Sequence, residues 1–248
     1  MPLLKEKEWI FLNEIIHMIH DTRNLDEMRV NVLELVSVMI PNTSNSFYLA
    51  NATGDKLLSD PVANNISRTD IANYLSYGEN IDYTIPIFKS ARPIAYKETD
   101  LFDSAMREKT AFYNEFLAHG LEYPLALCIA RDGKCYGALS LYRSKQMGDF
   151  SDRDVFILNQ LHNHLASRIS LAHDAEKNFC TRKVDEICKE YLLTPRELEI
   201  VGFILDGTGN EEISSKLFIE VGTVKKHVYN IYCKFNVKNR IQLLRLFG

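Results

Sequence analysis

Helical spacing dominates the first forty residues of the chain. Apolar residues recur three and four positions apart in two successive runs, and this spacing places each run on one face of an α-helix. The first run is Trp9, Leu12, Ile16 and Ile19, and the second is Leu25, Met28, Val32, Leu35 and Met39. Asn24 and Glu27 form a capping box before the second run, and Pro41 ends it. We therefore predict two amphipathic helices here.

Strand-like stretches with turn signals between them follow these helices. Residues 46–51 and 56–61 flank Thr53-Gly54-Asp55, and residues 125–130 and 135–142 flank Asp132-Gly133. Asp-Gly favours a two-residue type I′ turn, so the second pair is the stronger prediction of a hairpin.

A two-residue turn at Asp132-Gly133 would also fix the register of this hairpin. The predicted pairs are Ala130 with Cys135, Ile129 with Tyr136, and Leu127 with Ala138. Cys128 and Cys135 then become diagonal neighbours on one face, roughly 7–8 Å apart, which exceeds comfortable disulfide geometry. Since both faces are mostly apolar, we expect the sheet to be covered on both sides.

A long helix is predicted after this hairpin, from a capping box at Ser151 and Asp154 to about residue 178. Its apolar row is Val155, Leu158, Leu165, Ile169 and Ala172. His162 falls on the same row, where we expect it in a helix–helix dimer seam. The order of elements predicts an α+β sensor-like domain over residues 1–172, an antiparallel sheet with flanking helices.

Residues 191–248 carry the signals of four short helices, after a linker over residues 173–190. Thr194, Pro195 and Glu197 supply an N-cap, a first helical residue and a capping-box partner. Gly207 and Asn236 suit left-handed helix exits, and Asn239 suits an N-cap. The apolar rows are Leu198, Val201, Gly202 and Leu205; Ile213 and Leu217; Val221, Val224, Val228, Ile231 and Phe235; and Ile241, Leu244 and Phe247. The second and third helices in tandem form a helix-turn-helix.

Charge is spread unevenly between the two predicted domains. The chain of 248 residues has a formal net charge of −4, which taken alone disfavours nucleic acid. Residues 1–180, however, hold 18 basic and 24 acidic residues, whereas the segment from Ile213 onward holds seven basic residues against Glu220 alone. Such a basic segment is typical of a surface that meets phosphate, although clustered lysines also form ordinary solvated helix faces.

The C-terminal motifs are LTPRE at 193–197, GxxNxEI at 207–213, LxI at 217–219, GTVKxHV at 222–228 and IYxKFxVxxR at 231–240. Together they resemble the LuxR-type (GerE-like) DNA-binding domain over residues 191–247 without a gap. The resemblance implies an all-α four-helix domain with its third helix in the major groove. It further implies that Lys225, Lys226 and Tyr229 reach base edges, and that Asn210, Thr223 and Lys238 touch the phosphate backbone.

Two positions depart from the family pattern in a way that bears on DNA contact. Gly209 and Glu220 stand where the family usually has Ser or Thr caps. Glycine is a tolerable N-cap, but glutamate is a poor one. A carboxylate at the groove-facing end of the third helix favours the helix dipole and repels phosphate.

The first domain carries a second resemblance. Residues 125–130, Gly133, GALSLY at 137–142 and FSxxD at 150–154, followed by the long helix, resemble the C-terminal half of a GAF domain. Such domains bind small molecules between the sheet and the segment before its central hairpin. The aromatic candidates for a pocket there are Tyr83, Phe88, Tyr96, Phe112, Phe116 and Tyr123. The alternative is that these rings simply pack the core.

Other chemistry finds little support in the sequence. Histidines such as His17, His20, His162 and His164 are not joined by ligands at metal spacing, so we expect no metal and no other cofactor. The motifs of common hydrolases and nucleotide-binding enzymes are absent, as is the Trp/Tyr/Asp set of acyl-homoserine-lactone sensors. Five cysteines without a CxxC pair, no apolar run of membrane length and no secretion signal predict a cytoplasmic protein.

The sequence therefore predicts a cytoplasmic transcriptional regulator and not an enzyme. Its N-terminal domain would sense a small ligand or a partner, and its C-terminal helix-turn-helix would bind double-stranded DNA as a homodimer. The helices at residues 9–19 and 155–172 are the expected dimer contacts, and the helix at 239–247 offers a second one. The alternative is a GAF-like ligand-binding or redox module whose tail only contacts proteins.

Overall fold

A computed structural model describes residues 4–51 and 56–247, with the backbone alone over 176–189. The chain divides into two compact units, Met1–His173 and Asp174–Gly248, and each is described by itself. The turn predicted at Thr53-Gly54-Asp55 lies outside the described residues. Within the described part of the chain, no helix is long and apolar enough to cross a membrane.

The N-terminal unit consists of a five-stranded antiparallel sheet and helices, which confirms the predicted α+β class. The strands are β1 (Ser44–Ala50), β2 (Leu58–Asn64), β3 (Ile94–Lys97), β4 (Tyr123–Arg131) and β5 (Lys134–Arg143), in the sheet order β2-β1-β5-β4-β3. The longer helices are α1 (Glu6–Asp21), α2 (Leu25–Met39) and α7 (Asp152–Glu190), whose residues up to His173 belong to this unit. Four short α-helices lie between β2 and β4: α3 (Arg68–Asn73), α4 (Glu79–Ile81), α5 (Ile85–Lys89) and α6 (Ser104–Arg107). The same segment contains two short π-helices, Tyr74–Gly78 and Tyr113–Leu117, and a 3₁₀-helix, Glu98–Asp100.

The central hairpin has the predicted turn but a different register beyond it. Ala130 pairs with Cys135 as expected, whereas Ile129 pairs with Gly137 and Leu127 with Leu139. Tyr136 is the extra residue of a β-bulge, which shifts every later pair by one position. The predicted pairs of Ile129 with Tyr136 and Leu127 with Ala138 were therefore wrong.

Glycine is required at the first pair after this bulge. A Cβ atom on Gly137 would lie 2.4 Å from the Tyr48 carbonyl oxygen of the neighbouring strand β1. The absence of a side chain therefore lets β1 approach β5 beside the bulge.

Both faces of the sheet are covered, as the apolar residues on both faces of the hairpin predicted. Leu125, Leu127 and Ile129 of β4 pack with α1, α2 and α7 in the larger core. Ala126 and Cys128, which alternate with them, pack on the opposite face with the aromatic side chains of residues 74–96. The second face is the one that holds the cavity described below.

Several predictions about α1 and α7 need correction. The buried residues of α1 are Leu12, Ile15 and Ile19, while Trp9 is 42% exposed, so the buried face is rotated from the predicted row. His162 does not lie in a dimer seam, because it is buried and its Nε2 lies 2.7 Å from the Ala130 carbonyl oxygen of β4. The predicted row of α7 packs on its own sheet, and the helix runs to Glu190 instead of ending near 178.

The C-terminal unit contains four helices as predicted: α8 (Pro195–Leu205), α9 (Asn210–Leu217), α10 (Val221–Phe235) and α11 (Arg240–Phe247). Thr194 and Glu197 form the expected capping box, and Asn236 has the expected positive φ of 53°. The buried apolar residues are Ile200, Val201, Ile204, Ile213, Val224, Val228, Ile231, Phe235 and Leu243. The rows predicted for the outer helices were partly wrong: Leu198 is 36% and Ile241 64% exposed, while Ile200 and Leu243 are buried.

Candidate DNA-binding surface and ligand cavity

Helix α10 packs one face into the core of the C-terminal unit and exposes the opposite face to solvent. Val224, Val228, Ile231 and Phe235 bury its inner face in the core of the C-terminal unit. The exposed positions on the opposite face are Gly222, Lys225, Lys226, Tyr229 and Cys233, spaced three and four residues apart. Such a helix can enter a groove without disturbing its own core.

The three side chains predicted to reach bases share this exposed face. Lys225 and Lys226 are exposed, and Tyr229 is 66% exposed. No ion pair involves either lysine within the part of the chain that the structure describes. Their charges are therefore directed to solvent and are available to an external anion.

The predicted phosphate contacts lie at the ends of the helices. Thr223 is exposed in the first turn of α10, and Lys238 is exposed in the turn before α11. Asn210 is the half-buried first residue of α9, whose N-cap Gly209 offers no side chain. Glu220 likewise makes no side-chain cap on α10, as the sequence indicated.

Other basic residues of this segment pair with acidic side chains or carbonyl groups of the same domain. Lys234 Nζ lies 2.7 Å from Glu197 Oε2 and also donates to the Leu192 carbonyl. Arg240 Nη2 donates to the Ile204 and Thr208 carbonyls, and Lys216 pairs with Glu212 on α9. The seven basic residues counted in the sequence therefore overstate the charge available to a partner.

The second candidate site is a cavity on the far face of the N-terminal sheet. Its volume is about 80 Å³. Seven aromatic side chains line it: Tyr48, Tyr74, Phe88, Tyr96, Phe112, Phe116 and Tyr142. Four of the six predicted pocket residues, Phe88, Tyr96, Phe112 and Phe116, thus line this cavity.

Two of the six proposed pocket residues lie outside the cavity lining. The Tyr83 hydroxyl donates to Glu98, which forms a buried ion pair with Arg107 at 2.7 Å. The Tyr123 ring lies under the Arg107 guanidinium, 5.9 Å from its centroid. Both rings therefore support the Glu98–Arg107 pair, a role that their aromatic character did not reveal.

The sequence did not predict three of the lining tyrosines, Tyr48, Tyr74 and Tyr142, nor the acidic lining residue Asp82. Asp82 is 7% exposed, and its Oδ1 accepts from the Thr84 amide at 2.8 Å and from Thr84 Oγ1 at 2.7 Å. Its Oδ2 accepts from the Tyr74 hydroxyl at 2.9 Å. Burial raises the pKa of Asp82 above its ordinary value, although these hydrogen bonds oppose the shift. A lone aspartate between two short helices gives no periodic signal that could have identified it.

The bulged hairpin also brings two thiols together on this face. Cys128 and Cys135 are both buried, and the hydrogen bond that the Cys128 thiol donates to Cys135, followed by burial, raises the pKa of Cys128. The expected separation of roughly 7–8 Å for diagonal neighbours came from a regular ladder, which the bulge at Tyr136 interrupts.

Residues 191–247 match the family described as bacterial regulatory proteins, luxR family (GerE). The C-terminal domain is a LuxR-family helix-turn-helix domain. The chain is 27% identical over 223 residues to the monoamine regulon transcriptional regulator of Klebsiella aerogenes. This alignment covers 88% of this chain and 89% of that protein. It is 51% identical over 51 residues to the CsgBAC operon transcriptional regulatory protein of Escherichia coli K12, covering 21% of this chain and 24% of that protein.

Solved structures show the fold of the chain. A GAF domain from the phosphoenolpyruvate-protein phosphotransferase of Acinetobacter aligns with a TM-score of 0.51 at 16% identity, covering 69% of this chain and 97% of that one. SdiA in complex with octanoyl-rac-glycerol aligns with a TM-score of 0.51 at 19% identity, covering 98% and 95%. The N-terminal domain is thus GAF-like, and it precedes a LuxR-type domain.

In the LuxR-type domain the exposed face of α10 includes two residues that were not among the predicted DNA contacts. Gly222 and Cys233 extend the face beyond Lys225 and Tyr229 at each end. Helical periodicity alone could have identified both, because they fall three or four positions from the predicted contacts.

Proposed function

We propose that this protein regulates transcription by binding a specific double-stranded DNA site with helix α10 in the major groove. The observation that carries the proposal is the exposed face of α10, where Lys225 and Lys226 have solvent-directed charges while Lys234 and Arg240 are engaged internally. Lysine donors suit guanine O6 and N7 in the major groove, and nearby phosphates attract the same charges.

Within this proposal the exposed side chains divide into two roles. Lys225, Lys226 and Tyr229 read base edges, because they project from the outer face of α10. Asn210, Thr223 and Lys238 position the domain on the phosphate backbone from the helix ends. Base contacts specify the site, whereas phosphate contacts fix its register.

We further propose that the chain acts as a homodimer on a roughly palindromic site and has no catalytic activity. The N-terminal domain binds a small ligand or a partner, and this binding changes how freely two recognition helices reach neighbouring half-sites. Such coupling requires a ligand that binds one arrangement better than the other. The regulator names of the two relatives support this assignment.

The DNA-binding proposal is tested with a duplex selected from a random-sequence library by the full chain. We expect the double variant Lys225→Ala, Lys226→Ala to bind this duplex at least about tenfold more weakly, since each good base contact contributes about 1–3 kcal/mol. The measurement is fluorescence anisotropy at several salt concentrations. The matched control is Lys89→Ala, Lys109→Ala, which removes two exposed lysines from the N-terminal domain.

Unchanged affinity of the α10 double variant, with an intact circular dichroism spectrum, would refute the groove assignment. If no duplex can be selected and affinity does not fall with salt, the tail serves protein contacts and the alternative ligand-binding or redox module is correct. The buried Cys128–Cys135 pair is the feature that such a redox module would use.

A further inference from the structure

The cavity of the N-terminal domain contains an acidic group without a positive partner. Asp82 lines the cavity, and all of its hydrogen-bond partners are neutral: Tyr74 and Thr84. None of the described residues that line the cavity is Lys, Arg or His. The ionised carboxylate is therefore hydrogen-bonded but lacks a counter-ion, which is costly for a buried charge.

Neighbouring charges do not supply the missing cation. Glu98 also lines the cavity, but its charge is balanced by Arg107 in a buried pair at 2.7 Å. Glu79, whose carboxylate accepts from the Leu57 and Leu58 amides, adds negative potential at Asp82 and raises its pKa after the larger effect of burial. The charge around Asp82 therefore favours a cation.

The remaining walls suit an organic cation better than a hydrated metal ion. Rings of Tyr48, Tyr74, Phe88, Phe112 and Phe116 surround the space, and aromatic faces attract ammonium groups. The buried Tyr96 hydroxyl and Ser46 Oγ also line the cavity and make no hydrogen bond of good geometry. They can accept from an ammonium group, which has up to three donors.

The volume limits the size of the ligand. A cavity of about 80 Å³ is smaller than the roughly 150 Å³ cavity known to hold benzene. A compact primary ammonium with a short branched apolar tail fits this space. Its ammonium group meets Asp82 and its tail meets the Phe rings.

We propose that the N-terminal cavity binds a small organic ammonium ion, with Asp82 as the counter-ion and the aromatic walls around its apolar part. This inference rests on the proposed ligand-sensing function and names the chemical class of the ligand. A neutral ligand with an N–H donor could hydrogen-bond to Asp82, but it would leave the buried charge uncompensated.

The test compares three ligands of similar shape on the full chain: isobutylammonium, isobutanol and isobutyramide. Binding is measured by calorimetry and by the shift in thermal unfolding, which is detected by Trp9 fluorescence. Trp9 is the only tryptophan and lies in the N-terminal unit. We expect isobutylammonium to bind at least about tenfold more tightly than the other two, as expected for a charge-assisted hydrogen bond in a buried site. Equal or tighter binding of the alcohol or the amide overturns the proposal, as does no binding of the ammonium.

Two variants test the role of the carboxylate. Asp82→Asn keeps the shape and an acceptor for Thr84, and we expect it to abolish the preference for the ammonium ligand. Asp132→Asn removes the same charge from the exposed hairpin turn and should retain the preference. If Asp82→Asn still prefers the ammonium ligand, the proposal is overturned. If this variant does not fold, the comparison of the three ligands on the wild-type chain decides the proposal.

Failure here is distinguishable from failure of the proposed function. If only the neutral ligands bind, the N-terminal domain still binds a small ligand, and only the proposal that this ligand is a cation is wrong. DNA binding of the same preparation, measured by anisotropy, tests the regulator assignment independently of the cavity.

Discussion

At the scale of single residues, Glu197 joins the start of α8 to α10 in the DNA-binding domain. Its side chain accepts from the Thr194 amide and hydroxyl at the start of α8, and from Lys234 Nζ of α10 at 2.7 Å. Burial alone would raise the pKa of Glu197, but the hydrogen bonds from Lys234 and Thr194 outweigh it and lower the pKa. The folded domain therefore stabilises the ionised form.

We predict that this carboxylate makes the stability of the C-terminal unit depend on acid pH. Because the folded pKa lies below the ordinary value of 4.5, the contribution is present above that value and is lost as pH falls through the folded pKa. At neutral pH, Glu197→Gln should lower the free energy of unfolding by about 1–3 kcal/mol. It should also weaken the acid dependence, measured by urea unfolding followed by circular dichroism.

The control for this prediction is Glu199→Gln on the same helix. Glu199 is largely exposed and pairs with Arg196 at the surface, where an ion pair contributes little. If both variants lose the same stability and keep the same pH profile, the buried position of Glu197 has no special role.

Only some of the residues that line the cavity could be predicted from the sequence. Aromatic content identified Phe88, Tyr96, Phe112 and Phe116, because large rings must be buried somewhere near the sheet. It could not separate these rings from Tyr83, which supports Glu98. Asp82 stayed hidden because its burial depends on contacts across the tertiary structure.

At the scale of secondary-structure elements, α7 has one face that is buried against the sheet and another that is exposed to solvent. Leu158 is fully buried against the sheet, whereas Leu171, on the same helix, is 61% exposed. Leu158 and Leu165 belong to the row of α7 that was predicted as a dimer contact, but both are buried in the core. Replacing them with aspartate would therefore unfold the N-terminal core and could not test dimerisation. Leu171 is the residue whose replacement leaves the core intact.

We predict that Leu158→Ala lowers the free energy of unfolding of the N-terminal unit by about 2–5 kcal/mol, because it leaves a cavity in the core. Leu171→Ala should change it by less than about 0.5 kcal/mol. Urea unfolding followed by Trp9 fluorescence gives both values. Similar losses for the two variants would contradict the assigned faces of α7.

Local signals predicted the elements better than their orientation. Caps such as Thr194 with Glu197 and the exit at Asn236 depend on neighbouring backbone atoms, so the sequence specified them. The buried face of α8 was misjudged by one position, because Ile200 and Val201 are both apolar and only packing distinguishes the better fit. The bulge at Tyr136 likewise depends on β1, whose Tyr48 carbonyl faces Gly137.

At the scale of the whole molecule, the two units have separate hydrophobic cores. The N-terminal core combines α1, α2, α7 and the sheet, and the C-terminal core is built around Ile200, Val224 and Ile231 of the LuxR-type domain. A core that is buried within one unit stabilises that unit alone, provided the other unit adds no contacts to it. Separate cores therefore imply separate unfolding transitions.

We predict that Ile231→Ala lowers the stability of the C-terminal unit by about 2–5 kcal/mol without moving the unfolding transition of the N-terminal unit. Ile231 is fully buried in the second core, whereas Trp9 packs against Phe156 of the first, with ring centroids 6.2 Å apart. Trp9 fluorescence therefore reports the N-terminal unit, while circular dichroism reports both. Leu158→Ala is the reciprocal variant, and it should move the fluorescence transition. If each substitution shifted both signals together, the chain would unfold as one cooperative unit, and a ligand in the N-terminal cavity would then stabilise the DNA-binding domain directly through that cooperativity.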